Sequence, residues 1–129
     1  MKKPKTLTFC LLAYLFATTF AIQAQDDNKI LQELEEIAII EQKIMMPMRD
    51  GIRLATDIYR PKTDKQVGII FSRTPYNFNS WGDGERKTRT AQRALEAVKR
   101  GYAYVVQNER GRYFSEGEWD ILGVPLTDG

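Results

Sequence analysis

Two short blocks hold the side chains best suited to chemistry. The first, Arg73-Thr74-Pro75-Tyr76-Asn77, follows the apolar run Val67-Gly68-Ile69-Ile70-Phe71. If that run is a parallel strand, the block sits past its C-terminal edge, where open α/β sheets bind ligands. Tyr76 offers one O–H donor. At such an edge it can stabilise the oxygen that turns negative when an acyl carbonyl is attacked. The plainer reading is a partly buried tyrosine after a proline turn. The second block runs Asn108-Glu109-Arg110-Gly111-Arg112-Tyr113-Phe114-Ser115-Glu116-Gly117. Its mix of arginines, acids and glycines suggests a shaped, ion-paired loop, with Arg110 gripping a carboxylate bidentately and Gly111, Ser115 and Gly117 in structural positions. Merely solvated surface pairs are the plainer alternative. Ser115 lacks the strand-turn-helix Gly-x-Ser-x-Gly setting of a nucleophile. Trp81, within Asn79-Ser80-Trp81-Gly82-Asp83-Gly84, is a candidate substrate-binding ring, although a lone tryptophan more often packs.

Composition removes several chemistries. The 129 residues include no His and one Cys. The chain therefore has no complete Ser-His-Asp triad of its own and no His-ligated metal. A disulfide framework, a CxxC pair and a cysteine zinc site are likewise excluded, and no cofactor or metal is implied. Arg86, Lys87, Arg89 and Arg93 read as the wet face of a helix, without the interleaved aromatics of a nucleic-acid site.

The elements that must position these blocks follow from periodicity. Apolar positions 30, 31, 34 and 37 have helical spacing after a polar Asp26-Asp27-Asn28 start. From Ile44 the period becomes two, through Met46 and Met48 to the turn dipeptide Asp50-Gly51. Ile52, Leu54, Thr56 and Ile58 then alternate with Arg53, Ala55, Asp57 and Tyr59, and Arg60-Pro61 ends this return strand. Val67–Phe71 reads as an internal strand. Ala91, Ala94, Leu95 and Val98 form the apolar stripe of a helix over about 85–100, which Gly101 stops. Tyr102-Ala103-Tyr104-Val105-Val106 is a second buried strand. Strand, helix, strand implies a parallel βαβ crossover. The fold class is thus α/β, an antiparallel hairpin followed by a βαβ unit. One good helix covers only half of such a sheet, leaving Ile69, Ile70, Val105 or Val106 toward water. The sheet is expected to be incomplete, the N-terminal part of a longer protein.

The first residues are read separately. Lys2, Lys3 and Lys5 precede an apolar stretch from Leu7 to Ile22, and small Ala24 closes it. This is the layout of a secretory signal peptide over 1–24. A retained anchor is the competing reading, but the run falls short of the roughly 20 residues a span needs. Phe9 before Cys10 argues against lipidation. Cleavage after Ala24 leaves 16 basic and 17 acidic residues. It predicts a secreted or periplasmic chain with no stable membrane anchor, no affinity for nucleic acid and no disulfides. Residues 25–43 then form a lead-in, and 44–129 a truncated domain.

The succession Met48-Arg49-Asp50-Gly51-Ile52-Arg53-Leu54-Ala55-Thr56-Asp57-Ile58-Tyr59-Arg60-Pro61, Arg73-Thr74-Pro75-Tyr76, Arg100-Gly101-Tyr102-Ala103, Arg110-Gly111 and Ser115-Glu116-Gly117 resembles the start of the Xaa-Pro dipeptidyl-peptidase-like serine hydrolases. These include the cocaine esterase and α-amino acid ester hydrolase families. The resemblance implies an α/β-hydrolase sheet, an acyl-enzyme mechanism on esters, amides or short peptides, and a Ser-His-Asp triad lying beyond Gly129. It maps the oxyanion-stabilising hydroxyl onto Tyr76. One departure stands out: related sequences often carry Asp before the Arg-Gly block, and here Asn108 occupies that place. The competing expectation is a self-sufficient exported module that binds a ligand through Trp81, Tyr113 and Trp119.

Overall fold

The computed structural model describes residues 29–78 and 84–119, with backbone alone for 84–88. The expected signal segment, Trp81 and the residues after 119 lie outside this range. Residues 29–37 are helical (α1). They lead directly into strand β1, Ala38–Pro47, followed by β2, Arg53–Pro61. Strand β3, Ile69–Thr74, helix α2, Gly84–Lys99, and strand β4, Ala103–Asn108, complete the order. The four strands form one mixed sheet in the order β1-β2-β4-β3. β1 and β4 both pair antiparallel with β2, whereas β3 and β4 are parallel. The fold is α/β, and the expected βαβ unit is β3-α2-β4.

The hairpin turns where the dipeptide predicts, through a loop rather than a two-residue turn. The Met48 N–H donates to the Ile52 carbonyl (2.8 Å), enclosing Arg49-Asp50-Gly51 with Gly51 at φ 85°. A left-handed residue closing a three-residue loop is a common hairpin solution, and glycine adopts it without strain. β1 starts six residues before the alternation at Ile44 becomes visible. The reason is a register shift between Glu41 and Ile44, with Lys43 at φ 57°. An extra residue in one strand breaks period two, so the two halves of β1 do not read as one strand. Fully buried Asp57 supports the break by accepting the Lys43 N–H at 2.7 Å.

Both helices lie on one face of the sheet. Leu34 of α1 joins Ala91, Ala94, Leu95 and Val98 of α2 and Tyr59, Tyr104 and Val106 of the strands in one core. Three alanines on the buried side of α2 (91, 94 and 97) allow close helix-sheet approach. α2 ends with Gly101 at φ 82°, its N–H bonded to the Val98 carbonyl and the Tyr102 N–H to Ala97. This pair satisfies carbonyls the helix end would otherwise leave open. At α1 the Lys62 ammonium does the same for the carbonyls of Glu35 (2.8 Å) and Glu36 (2.9 Å).

The opposite face carries no described helix. Met46, Met48, Ile58, Ile69, Phe71 and Val105 line a shallow trough of about 550 Å³ there. Ile69 and Phe71 are 65% and 53% exposed, and Ile70 on the edge strand is also exposed. Of the four residues expected to face water, Ile69 and Ile70 do; Val106 packs in the helix-covered core, and Val105, on the open face, is buried on β4 between β2 and β3.

Candidate active site

Parallel pairing brings the ends of β3 and β4 to the same edge, with Thr74 opposite Asn108. The chain leaves that edge twice, as segment 74–78 and as segment 108–119. The two segments meet. Asn108 Nδ2 donates to the Tyr76 carbonyl (2.9 Å) and to the Thr74 carbonyl (3.3 Å). The Glu109 N–H also donates to Thr74 (3.1 Å), and Arg112 Nε donates to the Pro75 carbonyl (3.1 Å). Three consecutive carbonyls are thereby gripped from the neighbouring loop. The Tyr76 N–H is bonded to Thr74 Oγ1 at 3.1 Å, which closes the segment on itself.

Tyr76 therefore has a fixed backbone and a free-standing ring. Its side chain is 70% exposed at the C-terminal edge of the parallel strands. It borders a recess of about 460 Å³ whose lining includes Ser72, Thr74, Asn77, Arg89 and Arg93. Tyr59, by contrast, is buried within the core. Burial and the Asp57 carboxylate push its phenol well above the ordinary value, so it remains a donor to Asp57 (3.3 Å).

The second block is a folded loop. Ser115 is buried: its Oγ donates to the Asn108 carbonyl (3.1 Å) and accepts the Ala55 N–H (2.9 Å). It fastens the loop to β2. Arg110 Nη1 meets Asp50 Oδ2 at 2.8 Å, tying the loop to the hairpin tip. Glu116 accepts from the backbone N–H and the guanidinium of Arg53. Gly111 and Gly117 are left-handed, at φ 66° and 88°. A Cβ on Gly111 would fall 2.3 Å from the Trp119 nitrogen, and one on Gly117 2.8 Å from Arg110 Cγ. Arg112 stacks on the rings of Trp119 (4.4 Å to the centroid) and Tyr113 (5.5 Å).

Sequence reasoning singles out Tyr76 and Arg110, marks Asn108 only as a departure from related sequences, and passes over Arg112. The available signal was topological: loops leaving adjacent parallel strands must meet, so polar side chains just after β4 face the backbone just after β3.

A model of the X-Pro dipeptidyl-peptidase (S15) family matches residues 50–128. The chain belongs to that family. Within this S15 chain, 90 residues are 42% identical to a cocaine esterase of Rhodococcus sp. (strain MB1 Bresler), covering 69% of the chain and 14% of that relative. A solved CocE/NonD family hydrolase from Staphylococcus aureus is 22% identical, with a TM-score of 0.54 over 64% of this chain and 17% of its own. It supports the fold. An α-amino acid ester hydrolase is 33% identical over 65% of the chain and 14% of its own, with a TM-score of 0.49. The S15 chain thus spans about one-seventh of the curated relative it matches.

Proposed function

We propose that this S15 chain supplies the opening part of the sheet of an exported serine hydrolase that cleaves esters, amides or short peptides through an acyl-enzyme. The nucleophile and its acid-base partners come from sequence beyond Gly129. Tyr76 donates its hydroxyl to the oxyanion of the tetrahedral intermediate, beside a backbone N–H. The observation that carries this reading is the exposed Tyr76 ring on a backbone held at the C-terminal edge of two parallel strands. The name of the cocaine esterase supports ester cleavage as the first activity to assay.

The deciding experiment is Tyr76→Phe in the full-length hydrolase, assayed on a p-nitrophenyl ester. Loss of one oxyanion donor is expected to lower kcat by about 10²–10³ with little change in KM. An unchanged kcat removes Tyr76 from the mechanism. Residues 25–129 alone are expected to show no turnover, because they contain no His and bury Ser115; a burst of nitrophenol from them would contradict the assignment. Export is tested by N-terminal sequencing of the protein outside the cytoplasm, which should begin at Gln25.

A further inference from the structure

We infer that Asn108 and Arg112 are positioning residues for Tyr76, acting through the carbonyls of segment 74–76 rather than through substrate. This rests on the oxyanion reading of Tyr76 and extends it. Asn108 is fully buried, and its side-chain amide directs its donor nitrogen to the Thr74 and Tyr76 carbonyls. Among the described residues its Oδ1 has no hydrogen-bond partner. The amide orientation follows from chemistry: the flipped form would set Oδ1 against two carbonyl oxygens and lose both bonds. The two donations from one buried amide, not its packing, are what hold the segment that carries Tyr76.

Arg112 supplies the second grip. Its Nε holds Pro75 at 3.1 Å while its guanidinium is pinned over Trp119 and near Tyr113. The flat cation is thus oriented by rings of its own loop before it reaches the proline carbonyl. Tyr76 follows a proline, whose ring fixes φ, and its own carbonyl is held by Asn108. Little backbone freedom remains, so the ring pivots about its own side-chain bonds from a fixed point at the sheet edge. A transition-state donor displaced by about 1 Å can lose on the order of 10²-fold in rate, which is why such support matters to kcat more than to KM.

Leu at position 108 has nearly the same shape but offers no donor; Ala is smaller and likewise removes the bonds without adding charge. In the full-length hydrolase, Asn108→Leu and Asn108→Ala are expected to lower kcat on a p-nitrophenyl ester by about tenfold or more while KM stays within about twofold. In a Tyr76→Phe background the same substitutions should cost less than about threefold, since the group they aim is gone. Arg112→Lys, on the solvent side of the clamp, keeps charge but loses the Nε donor. It should show the same split and the same non-additivity, even if the Asn108 variants unfold. Full losses in the Tyr76→Phe background, or an unchanged kcat in folded variants, overturn the inference and leave Tyr76 catalytic. An unchanged kcat for Tyr76→Phe itself instead sinks the oxyanion reading.

Discussion

A methyl group at Gly111 would collide with backbone rather than with a movable side chain: the Trp119 nitrogen at 2.3 Å and the Glu118 carbonyl carbon at 2.6 Å. At Gly51 the same methyl would meet open space, with only the left-handed φ to oppose it. Gly51→Ala is expected to cost about 1–2 kcal/mol. Gly111→Ala adds displacement of the packed loop and should reach about 2–4 kcal/mol. Urea unfolding of the full-length protein separates the two, and equal losses would mean that the loop yields freely. Ser115→Ala removes the acceptor of the buried Ala55 N–H and should cost about 1–3 kcal/mol, again read by urea, with kcat nearly unchanged. These glycines and this serine were legible in the sequence because the loop's composition marked it as shaped. Asn108 and Arg112 were not. Nothing near an asparagine in sequence reveals that it bonds a carbonyl 32 residues away.

Ionic contacts at the level of elements tie the loop after β4 to the β1-β2 hairpin, through Arg110 with Asp50 and Arg53 with Glu116. The hydrogen bond from Arg110 holds the Asp50 carboxyl below its ordinary 3.8, and that from Arg53 holds Glu116 below 4.5. Each folded-state pKa is depressed, so each pair contributes fully above the ordinary value and is lost as pH falls through the lower one. Asp50→Asn and Glu116→Gln should therefore flatten the fall in urea midpoint between about pH 5 and pH 3. The effect should be small and shrink with added salt, because the pairs face solvent. A slope indistinguishable from that of the parent would show that other carboxylates govern acid unfolding. The hairpin and the βαβ unit could be read from period and turn chemistry. The full length of β1 could not, because the Lys43 irregularity conceals it. The antiparallel pairing of β2 with β4 was equally hidden, since it joins strands separated by the whole crossover.

Across the whole molecule, the sheet divides into a face packed by two helices and a face where Ile69 and Phe71 stand largely in water. Periodicity along the chain predicts this imbalance, since one strong amphipathic helix cannot cover both faces, yet it does not predict that Val105 is sheltered between two neighbouring strands. A contiguous apolar trough of this kind favours association or covering by further structure. The proposed place of this chain within a larger hydrolase makes a prediction whose sign depends on context. Residues 25–129 alone should bind a hydrophobic dye and sediment above monomer mass as concentration rises. Ile69→Lys and Phe71→Lys should reduce both while preserving the far-ultraviolet spectrum. In the full-length protein the same substitutions would bury an unpaired ammonium under whatever packs on that face, at roughly 3–5 kcal/mol each. A lysine that improves the short chain and damages the long one identifies the trough as internal surface. A lysine harmless in both would mean that the face remains in water throughout, and the sheet would then have to be completed by strands at the β3 edge without a second layer of helices.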